Sequence, residues 1–363
     1  MNKQVVAVLF GGRSSEHSVS AATAGGVLAA IDRDRFAVLP VGITRDGAFV
    51  LEEDRPEKFA MIADAMPQVA DNGTRVLWPE AAGDRSLRVR RADGTVDDLG
   101  VVDVVLPILH GLHGEDGTMQ GFLDIVGLPY AGCGVLDSAL CMDKHFTKLV
   151  LAAAGIEVSP GFTVTAREWS ADADGVRSRA AEFPLPWFVK PARAGSSVGV
   201  SKVHTADELD EALRVALAED DKALIEQGVS GREVEVAVLA GFPGEPTKAS
   251  LPGEIELTTR DFYDFEGKYL GGEGVNLICP ANVDDATTEL LRSTAIRAFD
   301  ALDCQGLARV DFFVTADGRA VVNELNTLPG FTPISMFPQC WIASGLSYTE
   351  LITYLIDNGL ARA

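Results

Sequence analysis

The chain opens on an unbroken apolar run, Val5-Val6-Ala7-Val8-Leu9-Phe10, that stops at Gly11-Gly12. A short run without polar alternation reads as a strand buried on both faces, the pattern of parallel sheets. After the turn GGRSSEH, the small-residue stretch Ser18 to Ala30 predicts a helix, Ala37 to Val41 a second strand, and VVDVVLPIL a third, ending in HGLHGEDG. This alternation predicts a parallel α/β sheet. Ligands of such sheets collect at the carboxyl ends of the strands, where the loops carrying Glu16 and His110 fall.

The pattern then changes. A helix is expected with Ser138 as N-cap and Gly155 as its stop, followed by Pro160. The strand WFVK runs into PARAGSSVGVSKV, whose glycines and serines between β-type residues predict a hairpin loop, and a polar helix follows near Ala206 to Ala218. Beyond lie the strands ALIEQGV and REVEVAVLA, a polar loop near 259–274, two final strands and an amphipathic C-terminal helix. These shifts divide the chain into segments of about 1–132, 133–225 and 226–363, in keeping with two or three domains for its 363 residues.

Composition narrows the function. The formal net charge of −22 repels a phosphate backbone, which argues against nucleic-acid binding and requires any anionic ligand to be held by local lysines and backbone N–H groups. The cysteines Cys133, Cys141, Cys279, Cys304 and Cys340 are odd in number, scattered and without a C-x-x-C pair, so neither a disulfide framework nor a structural zinc site is expected. They read as buried thiols. The first apolar run is too short for a secretory segment, and no run approaches a membrane span, so the expectation is a cytoplasmic protein without a membrane partner.

A register argument points to a cation. In ARVDFFVTADGRAVVNELN, Asp317-Gly318 is a two-residue hairpin signal. With those two residues as the loop, Asp311 faces Glu324 and Arg309 faces Asn326, all on one side of the ribbon, with Val310, Phe312 and Val321 on the other. Two carboxylates directly opposite repel unless a cation lies between them. Oxygen donors without His or Cys suit Mg²⁺, and Arg309 would stabilise negative charge developing nearby. An exposed hairpin with a polar face is the alternative.

No Walker-type G-x-x-x-x-G-K-[ST] is present, and no G-x-G-x-x-G follows the first strand. A nucleotide would therefore be held by Lys144 and Lys190 under the loop Gly195-Ser196-Ser197-Val198-Gly199. That loop also matches the G-x-S-x-G elbow of serine hydrolases, but β-type residues follow the serine where the elbow needs a helix. Glu16 and His17 either bind an ammonium group or cap the helix. His110 either touches substrate or is a satisfied strand-end histidine, and Glu115-Asp116 reads as turn chemistry.

Taken together, GGRSSEHSVS, HGLHGEDGTMQG, Met142-Asp143-Lys144, VKPARAGSSVGVSKV, LIEQGVSGREVEV, FYDFEGKYL, ARVDFF and NELNTLPGFTPIS resemble the D-alanine–D-alanine ligase family of the ATP-grasp superfamily, in family order along nearly the whole chain. The resemblance implies an ATP-grasp fold, α/β and α+β, with an N-terminal parallel-sheet domain before two subdomains that enclose ATP. It implies a homodimer that joins two D-alanines for peptidoglycan, using ATP and two Mg²⁺ ions for which Mn²⁺ can substitute.

By the same resemblance, Lys144 and Lys190 contact ATP phosphates under the loop with Ser197, Glu226 and the backbone of Gln227 to Val229 read adenine, and Glu233 binds ribose. Asp311, Glu324 and Asn326 match the magnesium ligands. Glu16 would hold the first D-alanine's ammonium, linked to Ser196 and Tyr269, with His110 near its carboxylate. Arg309 and the Gly330 N–H would form an oxyanion hole, Lys268 would reach the transferred phosphate, and Ser335 would hold the second D-alanine's carboxylate. Phe265 and Gly267 depart from the tyrosine and alanine frequent in the family. Tyr269 favours the dipeptide over D-alanyl-D-lactate, whose ligases commonly carry Phe there. The remaining alternatives are a D-lactate ligase, another ATP-grasp carboxylate–amine ligase, and a non-catalytic nucleotide-binding module.

Overall fold

A computed structural model describes residues 3–60, 66–257 and 275–362. The apolar opening run forms β1 (Gln4–Gly11), followed by α1 (His17–Ala30), β2 (Phe36–Ile43) and β3 (Phe49–Leu51). The predicted third strand divides at Asp103: Val101 closes β6, and β7 covers Val104–Leu109. β6 (Val96–Val101) belongs to a separate meander with β4 (Arg75–Leu77) and β5 (Ser86–Arg90), and α2 (Thr118–Val126) follows β7. Asp103 makes the break by accepting the Val5 N–H at 2.7 Å, while its own N–H bonds the Val5 carbonyl.

The first sheet runs β3-β2-β1-β7, with β1 parallel to both neighbours. The unbroken hydrophobicity of β1 is explained by burial on both faces. Val6, Val8 and Phe10 point into one core with α1, whereas Ala7 and Leu9 join Leu87 and Leu123 in another. The C-terminal helices return to this first core through Phe337, Leu351 and Ile356.

The helix expected from Ser138 is two helices, α3 (Val135–Met142) and α4 (Lys144–Ala153). Ser138 is buried inside α3, and the cap that matters is Asp143, whose carboxylate accepts the N–H groups of His145 and Phe146. Gly155 does end α4, at φ +70. Next come β8 (Gly161–Thr165), α5 (Ala166–Ala171), α6 (Ala173–Ala180), β9 (Trp187–Pro191), β10 (Ser201–Val203), α7 (Leu209–Glu219) and β11 (Lys222–Gln227). The sheet order is β10-β9-β11-β8, all antiparallel, and β9 and β10 form the predicted hairpin around the glycine-serine loop.

The third large sheet contains β12 (Arg232–Leu239), β13 (Lys248–Ala249), β14 (Gly253–Leu257) and β15 (Val275–Ile278). After α8 (Asp285–Ala301) it is completed by β16 (Leu307–Val314) and β17 (Ala320–Asn326), and the chain closes with α9 (Met336–Ala343) and α10 (Tyr348–Ala361). Its order is β15-β14-β12-β16-β17, with β13 paired to β12. One face packs on α8 through Val234, Val236, Leu291 and Phe299, leaving Glu233, Glu235, Arg309 and Asp311 on the other. Two antiparallel sheets therefore flank one cleft.

Candidate active site

The predicted pairings at the hairpin hold where they matter: Asp311 faces Glu324 and Arg309 faces Asn326. The turn is nevertheless one residue longer than the two-residue loop. Thr315 N–H bonds Arg319 O at 3.0 Å, and Gly318, at φ +82, donates to Thr315 O at 2.9 Å, so the loop is Ala316-Asp317-Gly318. A bulge between the pairs Phe312–Val322 and Asp311–Glu324 restores the register. It also corrects the back face: Val322, not Val321, packs with Val310 and Phe312, while Val321 pairs with Phe313 on the cleft side. Asn323, the bulged residue, turns its amide oxygen toward Lys190 Nζ at 3.3 Å.

The carboxylates at this position are embedded among cations. Arg309 holds Asp311 in a fork of two 2.7 Å hydrogen bonds and approaches Glu235 at 3.1 Å. Burial works against the guanidinium charge, but Asp311 and Glu235 outweigh it and keep Arg309 charged. Lys144 Nζ lies 3.2 Å from Glu324 and donates to Ala194 O at 2.8 Å, while Asn326 donates to Asp311 at 3.4 Å. Asp311 and Glu324, facing each other across the ribbon, and Asn326 on the same face offer only oxygen donors, a set that fits a hard divalent cation. Glu235 was missed in the sequence, although the alternation of REVEVAV places it beside Glu233 on the cleft face.

A cleft of about 680 Å³ lies between the two sheets, within the range of small-molecule sites. Lys144, Lys190, Ser197, Glu226, Gln227, Val229, Glu233, Asp311 and Glu324 all line it. At its inner wall Glu226 is buried between Lys148 and Lys190, the latter at 2.6 Å. Burial would raise the Glu226 carboxyl, yet the two ammonium groups hold it below its ordinary value. Lys148, which the sequence reading passed over, is pushed down to about 8 by burial, only partly opposed by Glu226.

A smaller polar recess adjoins the cleft, lined by Glu16, His110, Glu115, Lys144, Ser196, Arg309, Glu324, Asn326 and Gly330. Glu16 is buried at the N-cap position of α1, where its side chain makes no cap bond and instead accepts the Ser196 hydroxyl. The capping alternative for Glu16 is thereby set aside. Ser196 and Ser197 both hold left-handed backbone, φ 50 and 58, a conformation costly for non-glycine residues and concentrated at ligand-binding loops. Strand β10 follows them, not a helix, as the rejection of a hydrolase elbow requires.

His110 meets both of its readings. Nδ1 bonds Leu328 O at 2.9 Å and Nε2 lies 3.4 Å from the Thr23 hydroxyl, so the ring is satisfied, yet it lines the recess. Burial lowers its pKa, favouring the neutral ring. Glu115 is more than turn chemistry: it accepts the Gly111 N–H within the recess, and desolvation followed by the charge of Glu16 pushes it up to about 8. Ser335 is not brought into the recess lining; its hydroxyl pairs with that of Thr332 at 2.7 Å. Lys268 and Tyr269, with Phe265 and Gly267, lie outside the described residues.

All five thiols are free. Cys133 and Cys304 converge with Asp137 to within 4.8 Å, but Asp137 already accepts the N–H groups of Ser138 and Gln305, and Cys133 donates to Gln305 O and Leu307 O. Burial raises the Cys133 thiol well above its ordinary value, so this group is a satisfied piece of core. Among the described residues no helix is long and apolar enough to cross a membrane.

The chain is similar to known proteins along nearly its whole length. Residues 5–133 match the family described as D-ala D-ala ligase N-terminus, and residues 150–357 that described as D-ala D-ala ligase C-terminus. The chain is 48% identical over 362 residues to a D-alanine–D-alanine ligase of Arthrobacter sp. (strain FB24), covering 99% of this chain and 95% of that one. Among solved structures it resembles the VanG D-Ala:D-Ser ligase of Enterococcus faecalis, with a TM-score of 0.85 and 34% identity over 99% of this chain and 100% of that one. It likewise resembles the D-alanine-D-alanine ligase of Coxiella burnetii, with a TM-score of 0.83 and 34% identity over 100% and 95% of the two chains.

Proposed function

The chain belongs to the D-alanine–D-alanine ligase family, and on that premise we propose that it joins two D-alanines at the expense of ATP, through a D-alanyl phosphate, for peptidoglycan precursor synthesis. The observation that carries this reading is the pairing of Asp311 with Glu324 beside Arg309, at the junction of a nucleotide-sized cleft and a polar recess holding Glu16. A module that only bound nucleotide would have no need of a charge-stabilising arginine there.

In this reading the adenine lies against Glu226, Gln227 and Val229, the ribose against Glu233, and the phosphates reach Lys144, Lys190 and the loop with Ser197. Asp311, Glu324 and Asn326 hold two Mg²⁺ ions, with Mn²⁺ able to substitute. Magnesium bound there supplies charge neutralisation at the phosphate oxygens. Glu16, oriented by Ser196, receives the ammonium of the first D-alanine, and His110 lies toward its carboxylate. That carboxylate attacks the γ-phosphorus as its bond to the β–γ bridging oxygen breaks and ADP departs, with Lys144, Lys190 and Arg309 offsetting the charge.

The amine of the second D-alanine then attacks the acyl carbon. Arg309 and the Gly330 N–H stabilise the oxyanion, and phosphate leaves. The 195–199 loop excludes water that would hydrolyse the acyl phosphate. Lys268 and Tyr269 are assigned to the transferred phosphate and the Glu16–Ser196 link, and Ser335 to the second carboxylate, which requires its hydroxyl to leave Thr332. We further propose domains at 1–132, 133–225 and 226–363, a homodimer, and a cytoplasmic location.

Hydroxylamine trapping tests the intermediate. With Mg-ATP and D-alanine, the expected product is D-alanyl hydroxamate, formed only when ATP is present; release of ADP and phosphate with no trappable acyl group under any condition would remove the acyl phosphate from the mechanism.

A further inference from the structure

Lys148 has no part in the chemistry just described, yet its charge is buried. It lies on α4 one turn beyond Lys144, with its ammonium on Glu226 Oε1, while Lys190 occupies Oε2 of the same carboxylate at 2.6 Å. Lys190 and Glu226 line the cleft; Lys148 does not, and sits behind the carboxylate. Both lysines cannot therefore serve the nucleotide in the same way. Lys190 can turn to a phosphate entering the cleft, whereas Lys148 is confined to Glu226.

Local rules disfavour this placement. Lys144 and Lys148 put two cations at the start of a helix whose first turn contains no acid, against the helix dipole, with only the Asp143 cap to compensate. The backbone also makes room for the carboxylate. A Cβ at Gly161 would stand 2.4 Å from Ile225 O and 3.0 Å from Glu226 Cγ. A buried carboxylate whose mobile partner departs is left uncompensated unless a second cation stays behind.

We propose that Lys148 is a positioning residue for the nucleotide base: it remains on Glu226 Oε1 as a fixed counter-charge, while Lys190 vacates Oε2 for the phosphates. The freed Oε2 then accepts the exocyclic amino group of adenine. Guanine presents a carbonyl oxygen at the same ring position, which the ionised carboxylate repels, so the fixed pair also selects the base. The inference rests on the assignment of Glu226 to adenine made above.

The test is calorimetric binding of ADP and GDP to the full chain, with steady-state kinetics alongside. Lys148→Met is expected to weaken ADP binding roughly tenfold or more and to raise the KM for ATP equally, leaving kcat and the KM for D-alanine unchanged. Lys148→Arg should restore most of the loss. A folded Lys148→Met chain with wild-type ADP affinity overturns the proposal, as does one in which nucleotide affinity, D-alanine KM and kcat decline together. The double variant Lys148→Met/Glu226→Gln covers the case of a single variant that does not fold, since it removes the carboxylate together with its fixed counter-charge and leaves Lys190 bonded to Asn323 at the cleft. It should fold and lose the preference for ADP over GDP, and retention of that preference overturns the proposal. Because binding is read without turnover, absence of D-alanine-dependent activity in the wild type would sink the functional reading and leave this result standing.

Discussion

At the scale of the residue, the site is a balance of buried charge. Glu16 and Glu115 share one recess, and Glu115 holds its proton, its pKa raised to about 8 by desolvation and by the charge of Glu16, against the opposing pull of Lys144. A carboxyl raised on folding stabilises the native state below its unfolded pKa, near 4.5, and that contribution is lost as pH rises toward 8. The Glu115→Gln variant should accordingly show a flatter dependence of Tm on pH between about 5 and 8 than the wild type, measured without substrate. Identical slopes would remove Glu115 as a titrating group. Arg309 carries the other balance, held between Asp311 and Glu235. Arg309→Lys keeps a charge but loses the two-pronged grip, so kcat should fall by about 10²–10³ with ATP affinity largely retained, as expected for a donor that acts on the transition state.

At the scale of the element, the hairpin of β16 and β17 shows what a sequence can and cannot reveal. The facing of Asp311 and Glu324 was legible because Asp317-Gly318 marks a turn and strands alternate. The three-residue loop and the bulge at Asn323 were not, since each depends on contacts remote in sequence, and their offsets cancel at the pair Asp311–Glu324. Deleting Asn323 should therefore leave a folded, regular hairpin in which Asp311 still faces Glu324, read as retained Mn²⁺ binding in a chain that still melts cooperatively; loss of Mn²⁺ binding by such a chain would contradict this register. The helix expected from Ser138 broke because Asp143 competes as a cap once Lys222 lies against it. Lys148 was invisible for a similar reason: its partner Glu226 is on a strand of another layer. Core packing in the same sheet is steeper in cost, and Phe312→Ala, removing a fully buried ring, should lower stability by about 3–5 kcal/mol in chemical denaturation.

At the scale of the whole molecule, three sheets are joined so that the cleft and recess meet. The parallel strands β1, β2 and β7 were readable from their apolar runs, while the antiparallel edge strand β3, the meander of β4 to β6 and the return of the C-terminal helices to the first core were not, because nothing local in those segments specifies a partner. One junction is held by close backbone approach: Gly306, at φ +62, would place a Cβ 2.5 Å from Gly132 Cα. Gly306→Ala should cost more than about 2 kcal/mol and depress activity, since Gly306 leads directly into the strand carrying Arg309 and Asp311. The most direct measurement of the central claim is the product of Mg-ATP turnover, identified by mass, with D-alanine alone and with D-serine or D-lactate as competing acceptor. The expected products are ADP, phosphate and D-alanyl-D-alanine in equal amounts, with the dipeptide as principal product in each mixture; turnover of ATP that does not depend on D-alanine, or none at all, would contradict the ligase assignment.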